Sequence, residues 1–357
     1  MEKKKYIIKI SIVFILSIIS IILISHDDFI YQETIMKIDS ITTKETKVLQ
    51  NSIGLKEKYT EKIITGTITN GEKKGTIITT TYEESFSSIV TEKYKVGDKV
   101  FIKNNTIEGL KRDAYIAILI AIFINLIYIV GNIKGLLSVA TVIGNTIIFY
   151  LGLDLYFRGI NILFLCIIES ILCATLSLFI AGGINKKTIS AITSVTVSTI
   201  ILLTLTLIIA HTTNYSGVNF NELSFLTVPP EDILIPELLI GSIGAMMDVA
   251  ITISAAMAEL LEKNKKISAK KLTKSAKEIG KDIMSTMTGV LFFTYLSAGL
   301  PVFILAIRNG FSIHNYITSN FSLELTRFLV GSIGIIMTIP ISSHITVSMM
   351  KRGGKHE

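Results

Sequence analysis

The chain has 357 residues, of which 50% are hydrophobic and none is tryptophan, and its formal net charge is +7. A mean hydropathy of +0.59 exceeds what the core of a soluble domain requires and is typical of an integral membrane protein. The charge does not indicate a nucleic-acid-binding protein, because the large polar segment 26–113 is neutral, with fourteen basic and fourteen acidic residues.

Eight apolar runs have the length, about 17–25 residues, that a helix needs to cross about 30 Å of hydrocarbon. They cover residues 7–25, 114–131, 136–153, 160–182, 188–210, 233–258, 284–307 and 326–349. The first run resembles a signal peptide but lacks a small-residue cleavage site, so we interpret it as an uncleaved anchor. The sequence therefore predicts an α-helical polytopic membrane protein with about eight transmembrane helices.

The distribution of basic residues predicts the orientation of these helices. With the amino terminus in the cytoplasm, seventeen Lys and Arg residues fall in inside segments, and only Arg158, Arg308 and Arg327 fall in short outside loops. An odd number of spans would destroy this asymmetry. We therefore expect a multi-pass protein of the plasma membrane with both termini in the cytoplasm and residues 26–113 outside it.

The segment 26–113, between the first two spans, has the pattern of a small β-rich extracytoplasmic domain. The runs EKIITGTIT and TIITTTY flank the turn-like NGEKKG, and KYKVGDKVFI contains a tight turn at Val-Gly-Asp. Its length suits a curled sheet or a barrel. Four regions follow from these patterns: the anchor 1–25, the β-rich domain 26–113, the helices of 114–210 and the helices of 211–357.

Ionisable residues inside predicted spans are the first candidates for function, since each costs about 2.5–3.5 kcal/mol at the centre of a bilayer. Asp248 lies in the sixth span, in GSIGAMMDVAITISAAMAEL, and Glu169 and His344 lie in the fourth and eighth spans. Asp248, Thr252 and Glu259 share one helical face that could line a path. The alternative is a structural acid, hydrogen-bonded to neighbouring Ser, Thr or backbone groups.

Glycine and proline mark the last three spans as specialised. All five prolines lie in or just before these spans, and GSIGAMMDVAI from Gly241 recurs as GSIGIIMTIPI from Gly331. The pattern is consistent with paired elements of a parallel repeat, with broken helices around a site near the midplane, or with kinks that only shape packing. The candidate residues for helix breaks or close packing are Gly241, Gly244, Gly299, Pro301, Gly331, Gly334 and Pro340.

The segment 259–282 carries many lysines and is predicted to be a basic cytoplasmic loop, with a short surface helix as the alternative. Lys281 and Asp282 are predicted to lie at the membrane interface. Asp282 would cap the first turn of the seventh span or bind an ion.

These motifs together resemble the YibE/F-like family of multi-pass bacterial membrane proteins. The resemblance covers about 60–347 and rests on KVGDKVFI, GSIGAMMDVAITISAAMAEL, IGKDIMSTMTGVLFFTYLSAGLPVFIL and GSIGIIMTIPISSHI. It implies a transport protein without a defined substrate or catalytic residue. The matching positions are Gly244, Asp248, Glu259, Gly280, Asp282, Thr286, Gly299, Pro301 and Pro340, while Lys281 stands where the family more often has arginine.

Two hypotheses follow for the function. The first is a permease or ion-coupled secondary transporter in which Asp248 binds an ion or a proton and Thr252 and Ser254 supply neutral ligands. The second is a membrane scaffold or sensor whose β-rich domain binds a ligand or a partner protein. Phosphate-binding loops, nucleophile motifs and clustered metal ligands are missing from the sequence, so we expect no enzyme activity and no cofactor. The expected partners are the lipid bilayer, a small solute or ion, and a second copy or another membrane protein.

Overall fold

The computed structural model describes residues 2–50, 56–86, 91–220, 228–319 and 321–352. The chain divides into two compact units, Met1–Leu136 and Leu137–Glu357. The first unit contains all the strands, and the second contains most of the helices.

The first unit contains one antiparallel sheet of five strands in the order β3-β2-β1-β4-β5. The strands are β1 (Thr34–Gln50), β2 (Lys56–Ile68), β3 (Ile77–Ser85), β4 (Lys99–Lys103) and β5 (Thr106–Leu110). This sheet confirms the β-rich prediction and places strands where three of the quoted runs lie. The sequence pattern did not single out β1 or β5, because β1 alternates charged and threonine residues and β5 is short.

The sheet curls until its two ends meet. The hydroxyl of Thr80 on β3 donates a hydrogen bond of 2.6 Å to the carbonyl of Asn105, in the turn between β4 and β5. Met36, Ile38 and Ile64 fill the enclosed side and are completely buried. The apolar surface buried in this core stabilises the sheet, whereas a flat sheet without such a core would be marginally stable.

A cluster of charges fastens the sheet to the ends of two helices of the same unit. The ammonium group of Lys111 contacts Asp27, Asp28 and Asp113 at 2.5, 3.2 and 2.9 Å. It also lies 5.0 Å from the ring centre of Tyr31. Burial by itself would lower the pKa of Lys111, but the three carboxylates raise it above its usual range.

The helices are α1 (Glu2–Ser25), α2 (Asp113–Phe157), α3 (Ile162–Gly182), α4 (Lys186–Thr213), α5 (Pro230–Lys263), α6 (Ala269–Arg308), α7 (Ile313–Ser319) and α8 (Phe321–Arg352). Seven of the described helices, all except α7, are long and apolar enough to cross a membrane. Many of their large apolar side chains are exposed, as is usual for surfaces that face lipid.

The number seven differs from the predicted eight because α2 contains both the second and the third predicted spans. It has 45 residues, or about 67 Å of helix, which is twice the thickness of the hydrocarbon layer. Its backbone leaves helical geometry at Asn132, with φ 51° and ψ −137°. A Cβ on Gly135 would lie 2.5 Å from the carbonyl oxygen of Ile127, so the backbone turns back on itself here.

In the second unit, α5 and α8 run parallel to each other in constant register. Ser242 lies beside Gly331, and Met246 lies beside Gly334. Each pair is separated by close to ninety residues, the same spacing as the repeated GSIG motif. The two copies of that motif therefore pack against each other, and the glycines of the α8 copy, Gly331 and Gly334, allow the close approach of the helices.

Two expectations about the backbone are wrong. The basic segment 259–282 is not a loop: α5 continues to Lys263 and α6 begins at Ala269, so only 264–268 connect them. Leu272 and Ala276, one helical turn apart, are completely buried in the core of this unit. The first turns of α6 therefore pack against the other helices and do not lie in solvent. The helices are also not broken at proline, since α5, α6 and α8 continue through Pro236, Pro301 and Pro340.

Candidate functional site

A cavity of about 600 Å³ lies in the second unit, at the end where α3, α5 and α8 begin and where α2 and α6 end. Its wall is mostly apolar and includes Phe149, Tyr156 and Tyr295. The ionisable residues in its wall include three glutamates and one arginine: Glu169, Glu237, Glu324 and Arg327. An apolar pocket with a few converging polar groups has the general form of a ligand site.

Glu169, one of the sequence candidates, is held in the wall of this cavity by the contact of α3 with α2. Only 8% of the residue is exposed, and it has no ion pair or hydrogen bond with the described residues. Its carboxylate lies against Gly152, where a Cβ would overlap it. About two turns further along the contact, Asn145 Nδ2 donates to Ser177 Oγ at 2.9 Å. The glycine therefore makes room for an acid that the helix pair fixes in place.

The other charges of the cavity form a group of three. The guanidinium of Arg327 on α8 contacts Glu237 on α5 at 2.6 Å and also contacts Glu324, one turn earlier on its own helix. Arg327 is 14% exposed, so these interactions are only partly screened by solvent. The sequence placed Arg327 in a short outside loop, and the loop assignment is wrong, because α8 begins six residues before it.

Asp248 lies on an exposed face of α5 and not in the packed interior of the unit. Gly241, which lines the cavity, and Gly244, Asp248 and Thr252 all belong to this exposed face. The Asp248 carboxylate has no hydrogen bond or ion pair with the part of the chain that the structure describes. The hydroxyl of Thr252 donates to the backbone carbonyl of Asp248 at 2.7 Å. The structure therefore does not provide the hydroxyl partners that a structural acid would need.

The remaining polar candidates lie apart from Asp248. Ser254 is completely buried and lies 3.0 Å from the hydroxyl of Thr346 on α8, so it faces the helix core. Glu259 is exposed and pairs with Lys263 at 2.6 Å. His344 is exposed on α8, on a different face from the buried Ser342 and Ser343.

The glycine candidates differ in how closely other atoms approach them. A Cβ on Gly241 would lie 2.6 Å from the hydroxyl of Tyr295, and one on Gly334 would lie 2.9 Å from the sulfur of Met246. Gly299 is buried and its carbonyl accepts a hydrogen bond from Tyr316 at 2.9 Å. Gly244, by contrast, has nothing within 4 Å of its Cβ position and does not serve close packing.

Lys281 and Asp282 lie in the interior of α6 and not at its first turn. The helix is capped by Ser268, whose side chain accepts a hydrogen bond from the backbone N–H of Lys271. Both residues are exposed, and Lys281 pairs with Glu278 at 3.1 Å. The predicted capping role of Asp282 is therefore wrong, because the helix extends thirteen residues before it.

Two family models match nearly the whole chain. The model described as YibE/F-like protein matches residues 119–352, and the model described as YibE/F family N-terminal domain matches residues 29–117. The chain belongs to the YibE/F-like family. No curated protein and no solved structure matches it. The resemblance drawn from its motifs is thus confirmed, and the boundary between the two matches lies close to the start of α2.

Sequence reasoning missed three residues of the cavity in this YibE/F-like protein: Glu237, Tyr295 and Glu324. One sequence signal could have identified the ion pair of Glu237 with Arg327. The repeat that relates Gly241 to Gly331 also relates Glu237 to Arg327, so opposite charges occupy equivalent positions of the two copies. Tyr295 gives no such signal, since an aromatic residue in an apolar helix is ordinary.

Proposed function

We propose that this YibE/F-like protein is a multi-pass permease of the bacterial cell membrane, coupled to an ion or a proton. In this proposal α2 crosses the bilayer twice, at either side of Asn132, which gives eight crossings. The excess of lysines near one set of helix ends supports cytoplasmic termini. With that orientation, the sheet lies outside and the cavity opens toward the outer side.

One observation carries the proposal: the α5 wall of the cavity continues along a single helical face to Asp248. Gly241 lines the cavity, and Asp248 lies seven residues later on the same exposed face. Seven residues are two helical turns, or about 10 Å along the axis. An acid at this depth has to meet a proton, a cation or water, because an isolated carboxylate in hydrocarbon is unstable.

The residues near Asp248 support a simple division of roles. Asp248 carries the exchanged ion or proton, and the exposed Thr252 one turn deeper supplies a neutral oxygen. Ser254 has no part in this path, because it is buried against Thr346. The open space beside Gly244, where no atom lies within 4 Å of the Cβ position, leaves room for a solute beside the helix.

Proton flux in vesicles tests the proposal. Purified protein would be reconstituted with a pH-sensitive dye inside, and a pH gradient would be imposed across the membrane. We expect Asp248→Asn to slow proton entry at least about tenfold, because the amide cannot carry a proton at neutral pH. Glu262→Gln is the matched control, an exposed acid on the same helix, and it should retain the wild-type rate. Equal flux in wild type and Asp248→Asn would refute the role of Asp248.

The alternative, a scaffold or sensor, is favoured by the compact sheet unit with its own core. In that case the helices assemble and transmit without moving a solute. Flux at the level of protein-free vesicles in the wild type would favour this alternative over the permease.

A further inference from the structure

Charge balance in the cavity suggests which class of solute it takes. Arg327 is shared between Glu237 and Glu324, so one positive charge serves two carboxylates. Glu169, the third carboxylate of the wall, has no cationic partner among the described residues. The lining therefore has a formal deficit of positive charge, which disfavours an anion and favours a cation.

Glu169 is placed to meet that cation. It is more than nine-tenths buried and lines the cavity, and its carboxylate fills the space that a side chain at position 152 would take. In an apolar, low-dielectric wall an ionised carboxylate is stabilised strongly by an opposite charge, and without one it takes up a proton. The helix contact thus presents an acid to the cavity and supplies no counter-ion for it.

The size and the lining of the cavity favour an organic cation over a metal ion. Its volume of about 600 Å³ lies within the range typical of small-molecule sites. Phe149, Tyr156 and Tyr295 contribute aromatic surface, which attracts ammonium-type cations through the ring faces. Within the described ranges, no group of three or more His, Cys, Asp or Glu residues could hold a metal ion.

We infer that the cavity binds a hydrophobic organic cation, with the Glu169 carboxylate as its ionic partner and the aromatic side chains around its apolar body. The inference names the solute class for the proposed permease and rests on that proposal for its physiological meaning only. Binding itself requires no transport.

The test measures binding of tetraphenylphosphonium to the full chain in lipid nanodiscs, with no ion gradient present. Uptake by empty nanodiscs is subtracted. We expect saturable binding that weakens at least tenfold in Glu169→Gln, a loss of about 1.4 kcal/mol. Tetraphenylborate has the same shape and the opposite charge, so it should not bind the cavity. Glu262→Gln, an acid outside the cavity, should bind tetraphenylphosphonium as the wild type does.

A second variant covers the case in which Glu169→Gln does not fold. Ala298→Phe fills part of the cavity from α6 without changing its charge, and it should also weaken binding. The inference is overturned if the wild type does not bind tetraphenylphosphonium or the smaller benzyltrimethylammonium. It is equally overturned if tetraphenylborate binds as well, or if the folded variants bind like the wild type.

The flux experiment tests the permease and the binding experiment tests the solute class, so a failure of one can be told apart from a failure of the other. Binding that depends on Glu169 in a protein without flux would leave the inference standing and remove the permease. Flux that depends on Asp248 without cation binding would leave the permease and remove the solute class.

Discussion

Lys111 shows at the residue scale how a buried charge fixes local structure. Its side chain is 2% exposed and joins Asp27 and Asp28, just after α1, to Asp113 at the start of α2. Burial by itself raises the pKa of Asp28, but hydrogen bonds from Lys99, Thr69 and Lys111 outweigh it and hold that pKa below its usual value. The charged state of the cluster is therefore the stable one.

Replacing Lys111 by methionine should destabilise the first unit by about 3–5 kcal/mol, because Asp27 and Asp113 would lose their ion pair with Lys111 and only Asp28 would keep a cation, Lys99. Thermal unfolding of the full chain in detergent would measure the loss. Lys103→Met is the control, since Lys103 is 72% exposed and its pair with Glu108 is worth at most about 1 kcal/mol. A Lys111→Met protein as stable as this control would show that the cluster is not stabilising.

Two acids in apolar helices, Asp248 and Glu169, show what the sequence can and cannot say about single residues. Both Asp248 and Glu169 were recognisable as costly groups in apolar helices. Their surroundings were not recognisable, because helical spacing shows which residues share a face but not what that face meets. The structure places Glu169 in the cavity wall and Asp248 on an exposed face.

At the scale of elements, the parallel pair α5 and α8 organises the second unit. Its contact joins the two GSIG copies and continues from Glu237 with Arg327 to Ser254 with Thr346. The hydroxyl of Thr346 also lies 2.6 Å from that of Ser190 on α4. Small and hydroxyl side chains therefore allow three helices to approach closely, which is the usual way that helices pack in lipid.

Gly334→Leu tests this packing. The glycine lies where a Cβ would be 2.9 Å from Met246 and 3.0 Å from Leu202, so a leucine forces α8 away from α4 and α5. We expect a loss of about 1–3 kcal/mol in stability, measured as a lower unfolding temperature in detergent. Gly244→Leu is the matched control, because its Cβ position is open. Equal unfolding temperatures for the two variants would contradict the proposed close contact.

The amino-terminal extension of α6 is an element that the sequence pattern indicated only weakly. Leu272 and Ala276 have helical spacing, yet the surrounding lysines made a solvated loop the more natural interpretation. The extension is stable because these two residues reach the core that contains Met257 and Ile339. That contact depends on the position of α5 and α8, which a local pattern does not contain.

At the scale of the whole molecule, the proposed orientation places Lys73 outside and Lys265 inside. Lys73 lies in the exposed turn between β2 and β3, and Lys265 lies in the exposed connection between α5 and α6. In a background with Cys166 and Cys173 replaced by alanine, we expect Lys73→Cys to react with a membrane-impermeant thiol reagent on intact spheroplasts. Lys265→Cys should react only after the membrane is permeabilised.

The parent protein without the two native cysteines is the control for this experiment and should stay unlabelled. Labelling of Lys265→Cys on intact spheroplasts would contradict the orientation and would move the mouth of the cavity to the cytoplasmic side. Five crossings separate Lys73 from Lys265 in the proposed topology, two by α2 and one each by α3, α4 and α5, and this odd number requires the two positions to lie on opposite sides.

The sequence by itself determined the class of the protein, its family, the positions of its apolar helices and the β-rich segment near the amino terminus. These properties follow from composition, from the length of apolar runs and from short-range periodicity, all of which are local. Only the tertiary structure decided that Glu169, Glu237, Glu324 and Arg327 share one cavity, because that depends on which faces of α2, α3, α5 and α8 meet. Such contacts join residues far apart in the chain, and close packing of small side chains selects them.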